Sequence, residues 1–311
     1  MKSGRGKIIK KLLPFIGIAI LVWLIFKIGT NNIVESFASA RISFIILAIF
    51  FSFVVVFFQA SKWFILLKKQ RIKIGFLETL KFELMSAFYG IITPAKLGSF
   101  VKVAYLQKKV KNIGKSSSSV VLDKIFDFLT IFIFAFFGCL VLVKGTLFLV
   151  SLVFLFFIAL FTIFINKNRS KPLLKFIYKK MLPKRFKKNA RKNFYDFYDS
   201  IPNKSFLIFF LFFSFLTWIV VYSLTFIVAL ALNIEISYFI LIFILPISTL
   251  VAHIPITIAG LGTREASLVG LLSLYGIGAA KAFSMSIIAF LITCIPALLG
   301  FFLSLKRTNK I

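Results

Sequence analysis

A chain of 311 residues that is 60% hydrophobic, with 43 phenylalanines, carries more apolar surface than a soluble domain of this size can bury. Its formal charge of +30 does not point to nucleic acid: the lysines and arginines form short clusters beside apolar runs, as the positive-inside rule places them, and no nucleic-acid-binding module accompanies them. Cys139 and Cys294 both fall inside apolar stretches, which excludes a secreted disulfide framework.

The first apolar stretch, Ile8 to Phe26, follows the cluster Lys2, Arg5, Lys7, Lys10 and Lys11. It is long for a signal peptide and no small-x-small cleavage site follows, so it reads as a retained transmembrane helix. Ser43 to Leu67 is the second span. Gly75 to Gln107 is membrane-like but broken: it holds Glu78, Lys81 and Glu83, then the interruption Thr93-Pro94-Ala95-Lys96-Leu97-Gly98. Ser117 to Val143 is the third span, with Asp123, Lys124 and Asp127 in its first turns, and Thr146 to Ile165 is the fourth. In the basic loop 166–204, Leu173, Leu174, Ile177, Met181 and Leu182 recur at helical spacing among lysines, which suits an interfacial helix on anionic lipid as well as a solvated loop. Ser205 to Leu232 is the fifth span. Ile236 to Tyr275 is the second broken region, with Pro246, Pro255 and the interruption Ala259-Gly260-Leu261-Gly262, and Ala282 to Leu305 closes the series.

Basic clusters flank the first broken region on both sides, so it begins and ends inside. Threading the remaining spans places both ends of the second broken region outside and both termini in the cytoplasm. The expected fold is a single all-α polytopic membrane domain, 1–311, of six spanning helices and two broken re-entrant hairpins. They form an inverted-topology repeat with halves of about 1–144 and 145–311, an arrangement used by many secondary transporters.

Irregular backbone survives at membrane depth only where protein or a water-filled cavity satisfies it. Paired interruptions in two halves therefore mark a transport site, although each hairpin also suits a kinked packing element. Helix starts after the breaks aim N–H groups and positive dipole ends inward, which suits a phosphate. Charges at membrane depth cost about 2.5–3.5 kcal/mol each on insertion scales and normally face the interior with a partner. Arg264 and Glu265 open the helix after the second break and, being adjacent, are expected to find separate partners. Asp123 and Asp127 share one face with Lys124 between them, a site group or an interfacial snorkelling trio. Lys96 and Lys102 flank the first break and suit a lipid headgroup. Glu78 and Lys81 read as an i,i+3 pair. His253, the sole histidine, reads as a packing or hydrogen-bonding residue. Trp23, Trp63 and Trp218 read as interface anchors.

Nucleotide-phosphate loops, G-x-S-x-G elbows and zinc-ligand spacings are missing from the sequence. The pair Asp123/Asp127 is the one place for Mg²⁺ in a membrane transferase, and Lys124 beside it works against a metal. No metal or cofactor is expected, and the protein is not expected to be an enzyme.

Three blocks resemble one family. They are Thr93-Pro94-Ala95-Lys96-Leu97-Gly98-Ser99-Phe100-Val101-Lys102, Asp123-Lys124-Ile125-Phe126-Asp127 and Pro255-Ile256-Thr257-Ile258-Ala259-Gly260-Leu261-Gly262-Thr263-Arg264-Glu265. The family is the membrane region of lysylphosphatidylglycerol synthases, also called the flippase-like domain family, and the resemblance spans nearly the whole chain. It implies translocation of an anionic or aminoacylated phospholipid, or a polyprenyl-linked lipid, across the bacterial cytoplasmic membrane. Pro94, Gly98, Asp127, Gly260, Gly262, Arg264 and Glu265 fit the family pattern. Ser99 stands where the family commonly has Glu, which removes a carboxylate that a coupling role for this block would need, and Lys124 stands where Arg is usual. The chain ends at Ile311, leaving no room for a soluble aminoacyltransferase domain, so a separately encoded glycosyltransferase or aminoacyltransferase is an expected partner. The alternatives are a membrane transferase acting on lipid-linked substrates and a non-catalytic scaffold for such an enzyme.

Overall fold

The computed structural model describes residues 3–94, 96–142, 187–254 and 256–308, together with residues 159 and 166. Among these, eleven α-helices and one 3₁₀ turn account for the regular structure, and there is no strand beyond a single backbone bridge. Helix α1, Ser3–Ile28, ends at Gly29, whose φ of 90° turns the chain through 86° into α2, Thr30–Ala38. A residue without a Cβ takes that conformation at little cost. Helix α3, Ile42–Lys69, runs unbroken for 28 residues, about 42 Å against a hydrocarbon core of about 30 Å.

Helix α4, Phe76–Ile91, has only 16 residues and so reaches about 24 Å, short of that thickness. The chain turns at Thr93 and Pro94, passes Lys96 in the left-handed region at φ 55°, and continues through the 3₁₀ turn Leu97–Phe100 into α5, Val101–Val110. Helix α6, Ile113–Leu142, carries Asp123, Lys124 and Asp127 in its first half. Helix α7, Lys187–Asp199, packs against the start of α6, where Asn112 donates to Asp196 Oδ2 at 3.1 Å. Helix α8, Lys204–Ala231, is capped by Asn203, which accepts the Phe206 N–H. Helix α9, Tyr238–His253, is again 16 residues long, and left-handed backbone at Ala259, Gly260 and Gly262 joins it to α10, Thr263–Ser273. Helix α11, Ala279–Thr308, completes the fold.

Three of these helices, α3, α8 and α11, are long and apolar enough to cross a membrane as single pieces. The sequence stretches of five of the six expected spans fall on the helices α1, α3, α6, α8 and α11. The expected span Thr146 to Ile165 and the amphipathic stretch beginning at Lys171 lie outside the described residues. Helix α2 was not anticipated.

The helices pack α3 on α8, α4 on α11, α6 on α9, α5 on α6 and α10 on α11. Two glycines set the closest approaches: a Cβ on Gly300 of α11 would collide with the Leu84 carbonyl of α4, and one on Gly138 of α6 with the Phe243 carbonyl of α9. Small residues serve this purpose between membrane helices, where close backbone contact replaces the hydrophobic effect. Two apolar cores result. One gathers Val55, Val228, Leu241, Leu268 and Met285; the other gathers Trp63, Leu66, Phe82, Leu106, Phe126 and Phe210. Helix α3 feeds both, and Val56 and Gln59, which lie on it between the two cores, line a cavity.

Candidate functional site

The two chain breaks meet. Pro94 and Ile258 form an antiparallel backbone bridge, so the turn after α4 lies against the turn after α9. Each turn is held by its own side chains. Thr93 Oγ1 donates to the Tyr89 carbonyl at 2.8 Å and accepts the Gly98 N–H at 2.7 Å. Glu265 Oε2 accepts the Gly262 N–H at 2.6 Å, and Thr263 Oγ1 donates to the Gly260 carbonyl at 3.1 Å. In the helix before each break a serine hydroxyl reaches across: Ser86 donates to the Ser99 carbonyl at 3.2 Å and Ser248 to the Arg264 carbonyl at 3.5 Å. Helix α1 closes on the second break, with Gly17 backbone so near Gly262 that a Cβ on Gly262 would strike it. The N–H groups of Gly98 and Gly262, expected to point at a ligand, are therefore spent within the protein. The anion at the start of α10 is Glu265, where a carboxylate favours the helix N-terminus.

Beside the meeting point lies a cavity of ≈ 350 Å³. Gln59 faces it from α3, Glu83 from α4 and Lys96 from the first break; Lys124 and Asp127 face it from α6, Trp218 from α8, His253 from α9, and Arg264 and Ser286 from α10 and α11. Arg264, Lys124 and Asp127 are the charges acting on the Lys96 ammonium. Lys96 makes no hydrogen bond or ion pair among the described residues.

Behind this wall runs a chain of ion pairs. Lys62 bridges Asp123 Oδ1, at 2.9 Å, and Asp127 Oδ1. Lys102 bridges Glu83 Oε2 at 2.7 Å and Asp123 Oδ2 at 3.2 Å, its ammonium lying over the Trp63 ring at 4.5 Å. Asp127 also accepts from Trp218 Nε1 at 3.1 Å and pairs with Lys124 at 3.4 Å. A second cluster surrounds Glu265, which is fully buried. Arg264 donates to Glu265 Oε1 from Nη2 at 2.5 Å and from Nε at 3.1 Å, and the Ser286 hydroxyl donates to the same oxygen at 2.9 Å. The guanidinium rests on the Phe290 ring, 5.1 Å from its centroid. Buried ions persist only with such company, because an uncompensated one costs several kcal/mol.

The family described as Lysylphosphatidylglycerol synthase TM region matches residues 14–300, a stretch holding both breaks, the cavity and every ion pair above. The chain belongs to that family. It is also similar to the UPF0104 membrane protein PH1989 of Pyrococcus horikoshii, 25% identical across 96% of this chain and 97% of that one. With its long apolar helices, this member of the lysylphosphatidylglycerol synthase TM region family is a multi-pass membrane protein.

Of the site residues expected from the sequence of this family member, Lys96, Lys124, Asp127 and Arg264 come together at the cavity. Pro94, Gly98, Gly260 and Gly262 build the two breaks. Lys102, Asp123 and Glu265 sit one layer back, tied into ion pairs. Arg264 and Glu265 bind one another rather than separate partners, because the Glu265 side chain folds back onto the first turn of α10. Glu78 pairs with Lys109 at 3.2 Å rather than with Lys81. His253 donates from Nδ1 to the Thr249 carbonyl at 2.7 Å and packs on Phe128. Trp63 and Trp218 are interior rather than interfacial. Lys62, which in sequence reads as the first of the basic cluster Lys62, Lys68, Lys69, Arg71 and Lys73 ahead of the first broken region, is 2% exposed; its isolation six residues ahead of Lys68 in apolar sequence was the available signal. Ser286 offered none. A divalent cation at Asp123 and Asp127 does not fit this donor set, since the Lys62 ammonium already lies between the two carboxylates.

Proposed function

We propose that this protein is a flippase-like carrier that moves the headgroup of an anionic or aminoacylated phospholipid, or of a polyprenyl-linked lipid, across the cytoplasmic membrane. One observation carries the reading: two interrupted helix pairs meet at a backbone bridge and each contributes a cation, Lys96 and Arg264, to one cavity. At ≈ 350 Å³ the cavity is of a size for a polar headgroup and not for the acyl chains, which stay in the bilayer. Arg264 and Lys96 receive the phosphate, and Asp127 and Lys124 line its approach.

Alternating access follows from an inverted repeat, in which the α4–α5 and α9–α10 pairs are opposed re-entrant hairpins. The packing supports it. The contact of α4 with α11 has its counterpart in that of α9 with α6, α5 on α6 corresponds to α10 on α11, and α6 on α8 to α11 on α3. Gly300 and Gly138 occupy corresponding close approaches. Helices α3 and α8, in contact with each other, lie on the axis of the repeat. A separately encoded glycosyltransferase or aminoacyltransferase supplies the lipid in this scheme, and the carrier performs no covalent step itself.

The test is transport in proteoliposomes with a panel of tail-labelled lipids and an outside-only quencher. Arg264→Gln, combined with Glu265→Gln so that no buried carboxylate is stranded, is expected to slow headgroup exposure about tenfold or more, the worth of one charge-assisted contact, with helical content retained. Unchanged exposure in that variant would reject the assignment. Gly262→Leu is a poor test, because its side chain would strike Gly17 and report packing instead.

A further inference from the structure

The charges around the cavity do not balance, and the imbalance identifies the headgroup. The charged groups that line the cavity, with the whole network of ion pairs joined to them, comprise five cations, Lys62, Lys96, Lys102, Lys124 and Arg264, and four carboxylates, Glu83, Asp123, Asp127 and Glu265. Every carboxylate in this set is committed. Glu83 and Asp123 are held by Lys102, Asp123 and Asp127 by Lys62, and Glu265 by Arg264, Ser286 and the Gly262 N–H. One cation is left over. Lys96, whose backbone is left-handed at φ 55°, lines the cavity with no acidic partner among the described residues. Gln59 and Thr225 also line the cavity and make no side-chain hydrogen bond among the described residues.

Resting on the translocation reading, we infer that the ligand is a phospholipid with one net negative charge: a phosphodiester whose outer headgroup is an uncharged polyol. Lys96 neutralises the phosphodiester. Gln59 and Thr225 meet hydroxyl groups, each able to donate and accept. An ammonium-bearing headgroup is disfavoured on two counts. It finds no uncommitted carboxylate in the wall, and it brings a positive charge beside Lys96, Lys124 and Arg264. Such like-charge juxtaposition is how a protein rejects the wrong partner.

The experiment reconstitutes the full chain in phosphatidylcholine vesicles with trace tail-labelled phosphatidylglycerol, phosphatidylinositol, phosphatidylethanolamine or lysylphosphatidylglycerol, and reads dithionite quenching. Binding of the same four lipids to the protein in nanodiscs is measured alongside. Phosphatidylglycerol and phosphatidylinositol are expected to exchange and bind at least about tenfold better than the two amine lipids. Lys96→Gln abolishes that preference, Lys96→Arg keeps it, and Lys96→Glu turns it toward lysylphosphatidylglycerol. Equal or better handling of either amine lipid by the wild type overturns the inference while leaving translocation intact. Lys96-dependent binding of the anionic lipids without any exchange supports the inference and removes the translocation reading. Neither binding nor exchange of any of the four overturns both.

Discussion

Lys62, Lys96 and Lys102 differ in burial and in company: Lys62 and Lys102 are 2% and 0% exposed, whereas Lys96 is exposed. Lys62 and Lys102 each bridge two carboxylates, whereas Lys96 touches none. Removing Lys102 strands Glu83 and Asp123 as buried anions, so Lys102→Met is expected to cost about 3–5 kcal/mol of stability. Lys96→Met breaks no interaction of the resting protein and should leave stability within about 0.5 kcal/mol while transport falls. Thermal unfolding of the two purified variants in detergent separates them; equal losses would show that Lys96 is structural. That Lys96 and Lys102 matter was legible from sequence, because they flank the first break, whereas Lys62 reads there only as part of a basic cluster. The ion pairing was not legible. Lys62 and Asp127 are 65 positions apart, and no local pattern announces a contact of that separation. Arg264 and Glu265 misled for the opposite reason: adjacency on a helix argues against a shared face, but Glu265 turns back to accept the Gly262 N–H and so brings its other oxygen to the neighbouring guanidinium.

At the level of elements, the two broken helix pairs follow from composition. Proline and glycine interrupt apolar sequence at Thr93 to Gly98 and Ala259 to Gly262, leaving helices of 16 residues that stop short of the bilayer thickness. Helix α2 escaped the same reasoning because its residues are too polar to read as a span, and only Gly29 signalled the 86° turn into it. How closely helices approach is likewise hidden from a hydrophobicity pattern, in which a packing glycine and an idle one look alike. Gly300 lies against the Leu84 carbonyl, while a Cβ on Gly270, within α10, meets nothing within 4 Å. Gly300→Val should therefore destabilise by about 1–3 kcal/mol through overpacking. Gly270→Ala should stabilise by about 0.5–1 kcal/mol through helix propensity. Unfolding midpoints shifted the same way in both variants would contradict the packing described.

On the scale of the whole molecule, the function proposed depends on two chain breaks, far apart in sequence, sharing one interior. The bridge between Pro94 and Ile258, the cavity, and the ion pairs that hold its wall come together there. Carrier action requires that this contact be remade in each cycle, since the halves cannot rock while their tips are fixed to one another. Residues opposite one another in an antiparallel pair have Cα atoms about 4.5–5.5 Å apart, within the roughly 4.4–6.8 Å that a disulfide spans. The most direct measurement is thus made on Pro94→Cys, Ile258→Cys in a background with Cys139 and Cys294 replaced by alanine. Mild oxidation in proteoliposomes should consume both thiols within a single chain and stop lipid exchange, and reduction should restore it. Thiols that stay free under oxidation, or exchange that continues after they are linked, would contradict the account.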